Sequence, residues 1–324
     1  MSHTAPRHRS AVALACNDAY APYAFFVADQ IARLHPERSF DICIAMPDPP
    51  APPASLARHD IRLLRFADGN PFDDGPNPGR HGGAAYLRLV LPDLLARDYD
   101  RMLYLDSDVF VTSGGLDQLL QMDLGPHPVG AVRDNLQWRT PDRQVPEFRK
   151  MGLGRAPYFN SGVLLIDIPR FRAESVLDRC LETFAMHPEA LPRHDQSLLN
   201  IVLHGSWAEL SPVWNWQYTW SSRFFADLVA PKILHFIGTV KPWRDRKRRL
   251  PERYRAPYAA FLAETYPDRP DLALPTPDGP AALDEMGPSF LKHWQSLGAM
   301  RRYLGRFTSP YARAEGERQA LRRS

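Results

Sequence analysis

The sequence predicts a layered α/β domain followed by a basic helical tail, and three observations carry that prediction. Short apolar segments alternate with amphipathic ones through the first two hundred residues, as when strands are joined by crossover helices. The chain has 324 residues, 44% of them apolar, enough for one large core or two modest ones. Beyond residue 267 the composition turns proline-rich and then basic. A charged fraction of 24% excludes a disordered chain. No apolar run approaches the ~20 residues that span a bilayer.

The elements follow in order. Residues 11–16 (Ala-Val-Ala-Leu-Ala-Cys) read as a buried first strand. Although basic residues precede it, this segment is shorter than the roughly 7–15 apolar residues of a signal peptide. A helix is predicted over 22–34. Strands follow at 40–45 and 61–66, separated by the proline-rich stretch 47–53. Residues 69–83 form a loop rich in Gly, Pro, Asn and Asp, and 84–96 a helix bent at Pro92. Further strands fall at 101–105, 129–132, 163–168 and 233–236, and helices at 170–185 and 195–203. No internal repeat is visible. The expected organisation is one domain over 1–266, a linker over 267–284 and a tail over 285–324.

Proline is the compositional outlier, 32 residues or about twice its usual ~5%. Three cysteines (Cys16, Cys43 and Cys180) are odd in number and widely spaced, which suits neither a disulfide framework nor a zinc site. A cytoplasmic location is expected. Residues 288–324 carry eight Lys/Arg against Glu315 and Glu317, with Phe290, Leu291, Trp294, Leu297, Leu304 and Phe307 largely on one helical face. Arg301 interrupts that face. Packing on the domain and contact with the anionic inner face of a membrane both remain open. The net charge of +3 does not argue for nucleic acid, and no aromatic-basic stripe accompanies the run 244–249 (Arg-Asp-Arg-Lys-Arg-Arg), so none is expected as a partner.

The sharpest local feature is Leu103-Tyr-Leu-Asp106-Ser107-Asp108, a buried strand ending in two acids. Ligands bind at the carboxyl ends of strands in α/β sheets, and such a pair can hold a hard divalent cation. Alternatively, one acid caps a helix and the other is solvated. Phosphatases of the haloacid dehalogenase type also use Asp-x-Asp. They usually place Thr or Val where Phe110 stands here, and carry the motif near the domain start, whereas a hundred residues precede it here. A second segment, His235-Phe-Ile-Gly238-Thr-Val-Lys241-Pro-Trp243, adds an imidazole that can complete a Mn²⁺ site. Its Gly238 permits close approach of phosphate, and its Lys241 supplies a point charge.

Four other segments complete an ordered set: Asn17-Asp-Ala-Tyr20, Tyr86-Leu-Arg88, Tyr158-Phe-Asn160-Ser161-Gly162, and His194-Asp195-Gln196. Together, over residues 11–245, they resemble glycosyltransferase family eight. These are retaining enzymes of the GT-A fold, a Rossmann-like mixed sheet flanked by helices, and include bacterial lipopolysaccharide galactosyl- and glucosyltransferases. The resemblance implies transfer of glucose or galactose from a UDP-sugar to a glycan, glycolipid or lipopolysaccharide-type acceptor. Mn²⁺, with Mg²⁺ as second choice, would be held by Asp106, Asp108 and His235. Asn17, Tyr20, Arg88, Ser107, Asn160, Gly238 and Lys241 would contact the nucleotide-sugar.

Tyr20 either stacks on uracil or packs against the sheet. Arg88 reaches the sugar and its phosphate, or pairs with a core acid. Asp195 bonds sugar hydroxyls, or only caps its helix. Gln196 lies beneath the reacting carbon, where an amide is a poor nucleophile, so a front-face displacement is expected. Asp134 is the expected acceptor-side contact. The rival readings are the phosphatase or phosphotransferase built on Asp106 and Asp108, and a non-catalytic nucleotide-sugar-binding relative.

Overall fold

The computed structural model describes residues 5–66, 70–72, 85–279 and 286–314. Much of the predicted loop 69–83 lies outside the described residues. In chain order the main elements are β1 (Ser10–Ala15), α1 (Ala21–Leu34), β2 (Asp41–Met46), β3 (Ile61–Arg65), α2 (Leu87–Leu95), β4 (Arg101–Leu105), β5 (Val109–Val111), α3 (Leu116–Leu120), β6 (Val129–Arg133), α4 (Pro146–Lys150) and β7 (Phe159–Asp167). There follow α5 (Ile168–Ala173), α6 (Val176–Met186), α7 (His194–Val202), β8 (Ala208–Glu209), β9 (Trp216–Gln217), α8 (Arg223–Val229), β10 (Ile233–His235), α9 (Glu252–Thr265) and α10 (Met286–Leu304).

Among the described residues, seven strands form one mixed sheet in the order β3-β2-β1-β4-β7-β6-β8. Only β7 runs against its two neighbours. Strand side chains alternate between two cores, which makes the domain three-layered. Val12, Leu14, Ile42, Ile44, Leu103 and Leu105 face α1, α9 and α10. Ala11, Ala13, Cys43, Met102 and Tyr104 face α2, α5, α6 and α7. Burial on both sides explains why β1, β2 and β4 read as nearly continuous apolar runs. All three cysteines are buried thiols.

The chain winds outward from β1 through β2 to β3, then returns to the other side of β1 as β4. That reversal creates a crevice at the carboxyl ends of β1 and β4, where open α/β sheets take ligands. Residues 17–20 leave one strand there and Asp106–Asp108 leave the other. A second, three-stranded sheet, β5-β10-β9, sits beside the crevice. Its register pairs His235 with Val109, one residue beyond Asp108.

Several element boundaries differ from the sequence reading for identifiable reasons. The helix expected over 170–185 is two, α5 and α6, because Ser175 adopts φ 49°, a left-handed conformation that an α-helix cannot accommodate. The apolar stripe expected on the terminal helix divides: Leu297, Leu304 and Phe307 pack against the core, and Phe290, Leu291 and Trp294 do not. α10 buries Ser289, Ser296, Met300 and Tyr303 against the domain, whereas Phe290, Leu291 and Trp294 are 64%, 57% and 60% exposed. Tyr303 stacks on Trp138 at 5.9 Å. The described part of 267–284 also lies on the domain, with Leu272 and Leu274 against the core.

Candidate donor and metal site

Strand β4 ends at Leu105, and the next residue is held rigidly. The Asp106 amide donates to the Gly162 carbonyl at 2.9 Å, and its carboxylate accepts from the Tyr104 hydroxyl at 2.8 Å. Burial raises the Tyr104 pKa well above the phenol range, so it remains a donor. Asp106, Asp108 and His235 each offer a ligand atom within 4.8 Å of the others. His235 Nε2 lies 3.1 Å from Asp108 Oδ1 and 3.6 Å from Asp106 Oδ2. Two carboxylates and one imidazole suit a divalent cation of the Mn²⁺ type.

The imidazole is oriented from behind. His235 Nδ1 meets Asn215 Oδ1 at 3.1 Å, while Asn215 Nδ2 donates to Asn160 Oδ1 at 2.9 Å. With the amide nitrogen committed to Asn160, Asn215 Oδ1 accepts from Nδ1, which leaves Nε2 as the ring nitrogen that faces the carboxylates. Gly162 completes the fit. A Cβ there would fall 2.1 Å from His235 Cε1 and 2.7 Å from Asp106 Oδ2. Gly162 reaches this position through an irregularity in the sheet. Pairing jumps from Ala131 opposite Leu164 to Val132 opposite Asn160, so Ser161, Gly162 and Val163 drop out of the β6 ladder.

Two cations face the carboxylates. Arg88, in the first turn of α2, lies 2.9 Å from Asp106 and 3.1 Å from Asp195, and donates to the Ser161 carbonyl at 2.8 Å. Lys241 Nζ lies 2.6 Å from Asp108. Burial alone would raise the Asp108 pKa, but His235 and Lys241 outweigh it and hold the carboxyl far below its ordinary range.

Beyond Arg88 the hydrogen bonds continue into α7. Ser161 Oγ donates to Asp195 at 2.7 Å. Gln196 Oε1 accepts from Asn160 at 3.0 Å and from the Ser161 amide at 3.3 Å, and Gln196 Nε2 donates to Asp134 at 3.1 Å. Asp195 therefore does not merely cap its helix. The N-cap is Arg193, and the Asp195 carboxylate is turned toward Arg88 and Ser161.

The structure thus brings Arg88, Asp106, Asp108, Asp134, Asn160, Asp195, Gln196, His235 and Lys241 into one connected network. Ser107 lies between the two acids with a buried hydroxyl that has no hydrogen-bond partner among the described residues. Asn17 is exposed at the end of β1, and Tyr20 is half-buried, edge-on to Tyr23 and Trp243. Gly238 is exposed and lines a cavity of about 390 Å³ together with Asn135, Thr239 and Trp220. An added Cβ at Gly238 would meet nothing within 4 Å, so the free protein itself places no steric demand for glycine there. Sequence reasoning missed Asn215 and the packing role of Gly162. Neither residue type nor spacing marks Asn215, which lies between two buried tryptophans.

Comparison with known proteins agrees with this geometry. Residues 11–247 match the family described as Glycosyl transferase family 8. General stress protein A of Bacillus subtilis is 29% identical over 213 residues, covering 61% of this chain and 71% of that protein. The lipopolysaccharide 1,3-galactosyltransferase of Salmonella typhimurium is 29% identical, and the lipopolysaccharide 1,2-glucosyltransferase of Escherichia coli 30%. The chain spans about half the length of each of these two enzymes. Among solved structures, the galactosyltransferase LgtC with donor and acceptor sugar analogues superposes with a TM-score of 0.60 at 27% identity, covering 72% of this chain and 89% of that one. The fold is of the GT-A type shared with it. With a family match spanning most of its length, the chain belongs to glycosyltransferase family 8.

Proposed function

We propose that the protein transfers a hexose, glucose or galactose, from a UDP-sugar to a glycan or lipopolysaccharide-type acceptor with retention of anomeric configuration. The observation that carries this reading is the convergence of Asp106, Asp108 and His235 at the sheet reversal, with the His235 tautomer fixed by Asn215. The donor set fits Mn²⁺ or Mg²⁺, and either would supply Lewis-acid stabilisation of charge on the departing diphosphate.

The chain's own residues do the rest. Asp106 and Asp108 stand at the carboxyl end of β4, beside residues 17–20, so diphosphate and uridine would lie along the crevice between β1 and β4. Tyr20 would stack on uracil and Asn17 would contact its edge. The orphaned Ser107 hydroxyl suits a donor oxygen. Lys241, now on Asp108, would exchange that partner for a phosphate oxygen when donor enters, and the exposed Gly238 backbone would approach the same group.

Arg88 is pinned between Asp106 and Asp195 and would present its remaining donors to the sugar phosphate. Asp195 and Asn160 would bond sugar hydroxyls. The Gln196 carbonyl already accepts from Asn160 and Ser161, which leaves it poorly disposed to attack carbon. A front-face route follows, in which the departing UDP oxygen takes the acceptor proton. Asp134, bonded to Gln196, would face the acceptor, and burial raises its pKa, which favours a hydrogen-bonding role. The phosphatase alternative has no supporting feature beyond the acid pair. NMR of the product from UDP-[¹³C]glucose or UDP-[¹³C]galactose tests the reading. An α-linked product supports it, and release of phosphate without sugar transfer opposes it.

For the tail, the reading is peripheral contact with an anionic membrane. No described helix is long and apolar enough to cross one. The exposed Phe290, Leu291 and Trp294 of α10, with Leu228 of α8 (72% exposed), form the apolar part, and Lys292 adds charge. Phe290→Ser/Leu291→Ser/Trp294→Ser should lose binding to vesicles containing phosphatidylglycerol while keeping its melting temperature. Undiminished binding would remove the tail from this role.

A further inference from the structure

A cavity of about 830 Å³ lies at the β8 edge of the main sheet, outside the donor network. Four of its lining residues are arginines that come from separate parts of the chain: Arg133 at the end of β6, Arg155 in the segment before β7, and Arg306 and Arg313 from beyond α10. The carboxylates in its lining are Asp142 and Glu209. Glu209 is consumed internally. Arg133 grips it with two hydrogen bonds of 2.9 and 2.7 Å, and Arg306 approaches the same carboxylate at 3.0 and 3.1 Å.

Two guanidinium groups thus share one carboxylate in a triad whose Arg133 and Glu209 are nearly buried. Such an arrangement sets guanidinium groups rigidly in a partly desolvated wall, where their attraction for an anion is stronger than in open water. Arg155 is exposed, and Arg313 reaches a carboxylate, Asp123, only at 3.7 Å. Both are available to a ligand.

We propose that this cavity is a binding site for a ligand carrying phosphate groups. A carboxylate takes its donors in one plane, whereas a tetrahedral phosphate accepts from several directions, which matches guanidinium groups arriving from separate segments. The volume exceeds that of one phosphate, so the site suits a polyphosphate or a phosphate-bearing saccharide. Tail residues Arg306 and Arg313 form part of its wall, which assigns a use to part of the tail's basic character. The inference does not depend on the transfer reaction. Arg133 lines this cavity, while the next residue, Asp134, bonds to Gln196 in the donor network.

The test is calorimetric titration of the full chain with inorganic tripolyphosphate in excess EDTA, without nucleotide or divalent cation. Binding is expected, weakening at least tenfold in Arg155→Ala/Arg313→Ala and unchanged in Lys241→Ala, which probes the donor site instead. Both cavity arginines are solvent-accessible, so the double variant should keep the wild-type melting temperature. Absence of binding at millimolar probe would overturn the proposal, as would equal binding by the double variant. Citrate binding as tightly as tripolyphosphate would overturn the assignment to phosphate.

Discussion

Gly162→Ala isolates the geometry of the metal site with the addition of one methyl group. The new Cβ would sit 2.1 Å from His235 Cε1 and 2.7 Å from both His235 Nδ1 and Asp106 Oδ2, where ordinary contact begins at 3.4 Å. His235 must therefore retreat by more than an ångström. It cannot do so freely, because its Nδ1 is bonded to Asn215 and its backbone is paired with β5 and β9. Metal–ligand distances tolerate about 0.2 Å, so the imidazole should be lost as an effective ligand. Disturbing the groups that orient such ligands typically costs roughly 10–100-fold in affinity, or about 1.4–2.7 kcal/mol. Overpacking should also lower stability by about 1–3 kcal/mol. Electron paramagnetic resonance of free Mn²⁺, titrated with protein and UDP, reads the affinity directly, and a thermal melt reads the fold. Gly154→Ala, where a Cβ meets nothing within 4 Å, serves as the control. Unchanged Mn²⁺ affinity in Gly162→Ala would refute the argument that this glycine sets the position of His235.

Further substitutions probe other links. Asp108→Asn should abolish metal-dependent turnover of UDP-sugar, and retained turnover would remove Asp108 from the metal site. Asn215→Ala should weaken Mn²⁺ about tenfold by releasing the His235 tautomer, and should lower stability by about 1–3 kcal/mol because buried His235 Nδ1 loses its acceptor; an unaltered Mn²⁺ titration would show that Asn215 does not orient the ring. His35 predicts a pH effect on stability. Its Nδ1 meets the Ile31 carbonyl at 3.0 Å and its Nε2 accepts from the Gly115 and Leu116 amides, and burial lowers its pKa. The unfolded chain then binds the proton more readily, so this contribution is complete above about pH 6.5 and is lost as pH falls through the lower folded value. His35→Gln should flatten that part of the profile in denaturant melts, and a wild-type profile in the variant would contradict it. Tyr303→Ala should destabilise the domain by about 3–5 kcal/mol because the ring is buried against Trp138.

The main sheet was legible because its central strands are buried on both faces and read as uninterrupted apolar runs. The acid pair was legible because it ends such a run, and His235 because Gly238 and Lys241 follow at telling intervals. Of the small sheet only β10 was legible, as the strand expected at 233–236; β5 and β9 are three and two residues long, below any readable periodicity, yet the sheet carries His235 to Asp108. Helix α9 was missed because Pro257 interrupts its pattern. On α10 the periodicity held only in part: Leu297, Leu304 and Phe307 pack on the core, but Phe290, Leu291 and Trp294 face outward while two serines are buried on the packed side. Gly162 shows the same limit at the site: its constraint comes from His235, 73 positions away in sequence, and exists only once β7 leaves its ladder beside β10.

The central claim is a cation-bridged nucleotide site at the reversal between β1 and β4. Thermal unfolding with UDP alone, Mn²⁺ alone and both together tests it most directly. A ligand at 100 times its dissociation constant adds about 2.7 kcal/mol. The bridged site predicts a shift with both ligands well beyond the sum of the separate shifts, and loss of that excess in Asp108→Asn. A cooperative melt that UDP and Mn²⁺ together leave unmoved would contradict the account.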